Sequence, residues 1–327
     1  PDHAETLGYR RLILASGARE RFLPFPGWTL PNVLGAGGLQ ALVKGGLPIT
    51  GKRVVVAGSG PLLLAVAALL RRKGADVRLI AEQAPWRKLA RFGAAIARDP
   101  DKLRQAIQLG AQLRGVPFRA GSWVSAAHGS DVVSAVTLRS GGRTWTEACD
   151  YLACGFGLLP NLELAQLLGC RCEPGGVWVD STQHTSVTDV YAAGEITGVG
   201  GLEKALVEGQ IAGLHATNRG LEALDLLPQR RAALDFTRLL ATTFALRPEL
   251  KTLADAATIV CRCEDVRYGE LIQHHTWRSA KLHTRCGMGA CQGRVCGGAT
   301  ATLFGWTQDS VRPPLVPARL GTLLAEE

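Results

Sequence analysis

The sequence predicts an α/β protein built from nucleotide-binding βαβ units, with a small cysteine-rich domain near its C-terminal end. Three stretches predict it. Gly51 to Gln83 reads GKRVVVAGSGPLLLAVAALLRRKGADVRLIAEQ, a strand, glycine turn, helix and second strand. Two short apolar runs, YRRLILASG ending at Gly17 and VYAAGE ending at Glu195, each lead into a turn of small residues. Five of the nine cysteines fall between Val260 and Gly298.

Composition sets the bounds. At 327 residues the chain has room for about two to three domains. A hydrophobic share of 46%, 39 glycines and 20% charged residues fit a globular α/β protein with many tight turns and exclude a disordered one. The formal charge of +9 comes from scattered Lys and Arg with no aromatic-interleaved basic strip, so a solvated basic face or an acidic partner is expected, not nucleic acid. The longest apolar run, Pro61 to Leu70, is too short to span a bilayer, and no signal peptide is visible. Cysteines arranged for metal imply a reducing cytoplasm, with peripheral attachment to the inner membrane left open. The first residue is Pro1, which suggests a fragment or a processed piece.

In chain order, Tyr9 to Gly17 is a strand entering a turn whose small residues let backbone approach a bound nucleotide. Arg53 to Ala57 is a β-branched run suited to a buried parallel strand; Gly58 and Gly60 form the turn, and Pro61 to Lys73 has helical length. Val77 to Ile80 is the second strand, closed by Glu82 about where a ribose hydroxyl would be met. Leu63 stands in the place of the third glycine of G-x-G-x-x-G, so the phosphate pocket is expected to be reshaped. The reading is therefore a Rossmann fold without functional NAD(P) binding. Ala84 to Gly115 reads as helical and basic, and Val116 to Arg143 as short strands.

Asp150 to Pro160 is again a strand entering a small-residue turn. Cys149, Cys154, Cys170 and Cys172 lack partners at metal spacing and read as small apolar residues. From Val179 to Ala216, a strand ends at Ala193, Gly194 and Glu195 turn, and a helix of small and aliphatic residues begins after Gly201. Glu195 is placed to accept from ribityl hydroxyls, and His184 reads as a turn or surface histidine. Leu221 to Thr258 is a helical, arginine-bearing connector punctuated by Pro228 and Pro248. The tail after Trp306 is proline-rich and expected to pack extended on a neighbour.

The cysteine cluster reads VCRCEDV, a helix-like interval, then KLHTRCGMGACQGRVCGG. Two bridged irons need four thiolates delivered as two pairs. Cys261 and Cys263 are one residue apart, and Cys291 and Cys296 are four residues apart, whereas zinc knuckles commonly space their pairs by two to four. Spacing leaves the set open, because Cys286 and Cys291 repeat the four-residue gap. Zinc, a disulfide or merely structural cysteines remain alternatives.

CRCEDV with TRCGMGACQGRVC resembles the bacterioferritin-associated ferredoxin type of domain, a small helical module carrying a [2Fe–2S] cluster. That match implies Cys261, Cys263, Cys291 and Cys296 as ligands, with Cys286 in a variable place as a reserve ligand or neighbouring thiol. ASGARERFLPFPGW resembles A-T-G-A-x-x-R-x-x-P-x-P-G of two-dinucleotide flavoproteins, which places Gly17 near FAD. VTDVYAAGE resembles the second FAD signature of glutathione-reductase-like flavoproteins, with Glu195 in place of the usual Asp. The first FAD motif of that fold is missing, so FAD binding is expected to be weak in this chain.

The whole order resembles the FAD- and cluster-carrying subunits of bacterial multi-subunit amine oxidoreductases. The resemblance implies a two-dinucleotide-binding-domain flavoprotein plus a small helical [2Fe–2S] domain. Residues 1–30 and 150–220 form the FAD-domain remnant, 31–149 the NAD-type Rossmann domain, 221–257 the connector, 258–305 the cluster domain and 306–327 the tail. It further implies a separate β subunit, similar to D-amino-acid-oxidase-like flavoproteins, that oxidises a substrate C–N bond, with room for a small third subunit. No acid–base or nucleophile constellation stands out in the sequence, which suits an electron relay whose acceptor it does not specify. The alternatives are an NAD(P)H-dependent flavin/iron–sulfur reductase and a cluster-sensing or zinc-stabilised interaction protein.

Overall fold

The computed structural model describes residues 5–308 and 311–324. Pro1 and tail residues 309–310 and 325–327 lie outside the described residues. At the centre is a five-stranded parallel sheet in the order Val33–Gly35, Tyr151–Gly155, Arg53–Gly58, Asp76–Glu82, Phe118–Ala120. The run from Val54 to Ala57 shows why it is apolar throughout. Val54 and Val56 face a core built with the helices Ala36–Lys44 and Leu62–Arg72, whereas Val55 and Ala57 face Trp123, Val124, Val136 and Leu138. A strand buried on both faces cannot alternate with polar residues. The second layer is an antiparallel meander, Trp123–His128, Ala135–Ser140 and Arg143–Ala148.

Strand Tyr151–Gly155 sits between Val33–Gly35 and Arg53–Gly58, so the chain returns to the flavin side only after Gly155. The sequence boundary at residue 149 places that strand with the flavin-side segment; its pairing places it in the Rossmann sheet.

The flavin side is a short parallel pair, Leu12–Leu14 with Val190–Ala192, and an antiparallel pair, Ala18–Glu20 with Leu158–Pro160. Behind it the helix Leu202–Ala216 packs through Val207, Ile211 and Ala212. The connector forms the helix Leu227–Thr243 and a 3₁₀ turn, Pro248–Thr252.

The cysteine-rich domain has its own core, including Val260, Val266, Leu271, Trp277, Ala280, Ala299 and Trp306. It is fastened to the larger body by Trp28, whose indole N–H donates to Ile259 O at 2.5 Å, while Val295 packs on the core around Trp28. The tail leans on the same domain, with the Arg294 guanidinium donating to the Leu315 carbonyl.

Gly58 ends its strand at φ +148, and a Cβ there would lie 2.0 Å from the Gly155 carbonyl oxygen. Backbone on both sides leaves nothing flexible to yield. Gly58→Ala is expected to lower unfolding free energy by about 3 kcal/mol, read from the denaturant midpoint at unchanged slope.

Candidate functional site

Parallel register builds the flavin-side edge. Because Leu14 pairs with Ala192 and Ala193 N donates to Leu14 O at 3.0 Å, both strands end at one level. The turns carrying Gly17 and Gly194–Glu195 therefore emerge side by side, outside the carboxyl ends of parallel strands, where α/β folds bind ligands. Gly17 has φ +68, and a Cβ on it would meet nothing within 4 Å, so its flank is open. Glu195 Oε1 accepts from Gly201 N at 2.7 Å, whereas Oε2 is buried without a partner among the described residues. An orphaned carboxylate oxygen wants a hydroxyl donor, and beside Gly17 this fits the polar chain of FAD.

The turn is rigid for a reason the sequence reading missed. Lys204 and Glu208, both 1% exposed, form a 2.8 Å ion pair one helical turn apart. Glu208 also accepts from Gly194 N at 3.0 Å, and Lys204 donates to Gly194 O at 2.9 Å and Thr197 Oγ1 at 2.6 Å. Buried charges require such company. The available signal was Lys204 and Glu208 four apart, on the helix face that also carries aliphatic Val207, Ile211 and Ala212.

In the cysteine-rich domain, the sulfurs of Cys261, Cys286 and Cys296 all lie within 4.8 Å of one another and are buried. Cys261 ends the strand Ile259–Cys261, Cys286 follows the left-handed cap Arg285 of the helix Trp277–Thr284, and Cys296 opens the helix Cys296–Phe304. Exposed Cys263 and half-buried Cys291 form the second group: the Cys291 backbone N–H donates to the Cys263 sulfur, and the Cys263 thiol donates to the Cys291 sulfur. The structure thus groups two of the four sequence-predicted ligands, Cys261 and Cys296, with Cys286, the thiol the sequence reading held in reserve, while Cys263 and Cys291 stand as a separate pair. Gly289 permits the fold: a Cβ there would lie 2.3 Å from Cys263 Cβ. Hydrogen bonds from Cys286 and Cys296, then from backbone N–H groups of Gly287 and Glu264, hold the Cys261 thiol far below its usual range. Such a nest favours thiolate, the form that binds metal. Of the remaining cysteines, Cys149, Cys154 and Cys170 are buried and Cys172 is half-buried. Burial pushes Cys149 up to about 12, the mark of an inert thiol.

The two sites touch. Arg19, two residues beyond Gly17, donates through Nε to Arg294 O at 3.0 Å, between Cys291 and Cys296 in the chain. Its Nη1 pairs with Glu163 at 2.8 Å and Asn161 Oδ1 at 2.8 Å.

Residues 2–215 match the pyridine nucleotide-disulphide oxidoreductase family. The chain belongs to that family. It is 32% identical to hydrogen cyanide synthase subunit HcnB of Pseudomonas protegens over 91% of this chain and 70% of that protein. It is 34% identical to an opine oxidase subunit of Rhizobium meliloti over 95% of this chain and 75% of that one. Among solved structures, thioredoxin reductase of T. acidophilum shares the fold at TM-score 0.50 and 20% identity, over 65% of this chain and 66% of that one.

The groups of the βαβ turn that the sequence reading offered to a second dinucleotide are engaged elsewhere in the structure. Glu82, 3% exposed, accepts from Gly60 N at 2.7 Å and Ala84 N at 2.8 Å. Ser59 Oγ donates to Phe244 O at 2.9 Å. Leu63 is 1% exposed, its Cδ2 filling the space beside Gly155. In the state described, the residues do not fit a bound NAD(P).

Burial raises the Glu82 carboxyl from 4.5 to about 7, against the pull of its backbone hydrogen bonds. Between those values the folded chain holds a proton that the unfolded chain has released, so stability falls as pH rises through this window. Glu82→Gln is expected to remove a decline on the order of 3 kcal/mol between pH 4.5 and 7, measured as the pH dependence of the denaturant midpoint.

Proposed function

We propose that this chain is the electron-transfer subunit of an amino-acid or opine dehydrogenase or oxidase complex. A partner resembling D-amino-acid-oxidase-like flavoproteins would oxidise the substrate C–N bond, and this chain would carry the electrons through FAD and a [2Fe–2S] centre toward an acceptor. The observation that carries the reading is the Arg19 bridge, which seats the cluster loop on the flavin-side turn within one chain. Relatives named as subunits of hydrogen cyanide synthase and opine oxidase support a partner-dependent role. No helix among the described residues is long and apolar enough to cross a membrane, and a cytoplasmic setting belongs to this reading.

Gly17, Gly194 and Glu195 would hold FAD: the open flank of Gly17 would admit it closely, the Gly194 turn would carry Glu195 to it, and Glu195 Oε2 would accept from a ribityl hydroxyl. Cys261, Cys263, Cys291 and Cys296 would hold the cluster. Cys286 would remain a thiol and hydrogen-bond to the ligand sulfurs, an interaction that tunes reduction potential. A flavin exchanges electrons in pairs and a two-iron centre one at a time, which is the chemistry the two groups supply when bound. Lys204, Glu208 and Thr197 satisfy one another and keep the Gly194 turn from shifting. That closed set offers no free acid or base, in keeping with a relay.

Anaerobic purification followed by iron, sulfide, zinc and flavin analysis tests the reading. About two irons and two sulfides per chain, with no bleaching by NADH, are expected. Zinc without sulfide would sink the cluster, and rapid bleaching by NADH would transfer the function to an NAD(P)H-dependent reductase. Cys261→Ser and Cys296→Ser are expected to lose the iron. Cys286→Ser should keep it with a shifted potential, and iron loss in that variant would make Cys286 a ligand.

A further inference from the structure

We propose that the second dinucleotide site is occupied by the chain's own connector: residues 240–247 form a strap that excludes NADH while closed and uncovers a nicotinamide-dinucleotide site when it lifts. This goes beyond the relay reading, which requires only that NADH not reduce the protein as purified.

The strap follows the groove a dinucleotide would follow. Helix Leu227–Thr243 ends beside Gly60, and the next four residues cross the carboxyl ends of strands Arg53–Gly58 and Asp76–Glu82. Ser59, in the phosphate turn, donates to Phe244 O at 2.9 Å. Gln83, 0% exposed, uses its whole amide to hold the crossing chain: Nε2 donates to Ala245 O at 3.1 Å and Ser59 Oγ at 2.8 Å, and Oε1 accepts from Arg247 N at 3.1 Å. Phe244 meets Phe92 edge-on at 5.1 Å, and the Arg247 guanidinium lies 4.4 Å from the Trp123 ring centre.

On either side the groove remains as two cavities that share Gly60, Pro61, Leu63 and Phe244. The larger, about 350 Å³, reaches Gly155–Leu158 and Val199 on the flavin side and is lined by Arg21, whose Nε is buried without a partner among the described residues. The smaller, about 200 Å³, lies between Glu82, Trp86, Phe92 and Phe118 at the adenosine end. A dinucleotide must run past Gly60 with one nucleotide on each side, and each cavity ends at Phe244, so neither half takes a whole one. Withdrawing Phe244 joins them into one groove, with the phosphate turn at its middle and a carboxylate at its ribose end.

The hydrogen bonds state the coupling. The groups that grip the strap, Ser59 and Gln83, sit on the turn and strand end a dinucleotide would contact, so strap and ligand compete for one place. A ligand that binds only the open form has its affinity reduced by the open fraction. Loosening the strap should tighten NADH binding without adding a contact to it.

The test uses the full chain and titrates NADH by calorimetry, with hydrogen exchange of residues 240–247 followed in parallel. The wild type is expected to show weak or no binding and a protected strap. Ser59→Ala/Gln83→Ala, which deletes three strap hydrogen bonds, should raise exchange in the strap and tighten NADH binding by roughly tenfold or more. Ser59→Ala alone should move both readouts the same way by less, and carries the test if the double variant does not fold. Wild-type binding as tight as that of the variants overturns the proposal. So does a strap shown by exchange to be released that leaves binding unchanged. Iron and sulfide content report separately on the relay reading, so either idea can fail alone.

Discussion

Arg19 is the hinge pin of the molecule. Its guanidinium is held at one end by Glu163 and Asn161 on the flavin side and at the other by the Arg294 carbonyl in the cysteine loop. The Glu163 pair is largely shielded, with side chains 23% and 18% exposed, so solvent weakens it less than a surface ion pair. A carbonyl acceptor fixes the loop's backbone and not merely one of its side chains. Trp28 repeats the fastening through Ile259 O. Two backbone carbonyls of the cysteine-rich domain, Ile259 just before its first cysteine and Arg294 between its last two, are thus tied to the same short segment of the flavoprotein body. The spacing between the Gly17 turn and the sulfurs is consequently set by the fold and not by a linker.

The parts of the molecule that the sequence made legible are those whose physics is local. Val54 to Ala57, the glycines after them and the apolar helix that follows announce a βαβ unit because periodicity and turn chemistry are short-range properties. The spacing of the five cysteines announces a thiol cluster for the same reason, and three of their sulfurs do converge. What could not be read is long-range and backbone-borne. Ser59 and Gln83 meet Phe244, Ala245 and Arg247 across 162 to 185 residues, and two of the acceptors are carbonyls, which every residue possesses. The third-glycine position was legible as a departure but not in its consequence: Leu63 fills space against Gly155. Cys286 shows the limit most directly. Its spacing to Cys291 equals that from Cys291 to Cys296, and only the three-dimensional path groups it with Cys261 and Cys296.

Gln83 joins these arguments. A fully buried amide costs roughly 1 to 3 kcal/mol if its donors and acceptor go unpaired. Here each is paired, and apart from Ser59 every partner belongs to the connector. Lifting the connector therefore exposes Gln83 to water and does not leave it orphaned in a dry core, because the same motion that breaks its bonds opens the groove around it. Glu82 behaves differently: its backbone partners, Gly60 and Ala84, stay with it when the connector moves. The closed state is thus favoured by groups that solvent can satisfy in the open one. That is the energetic signature of a segment held by a modest margin and distinguishes it from the Lys204–Glu208 pair, whose separation would strand two charges in the interior.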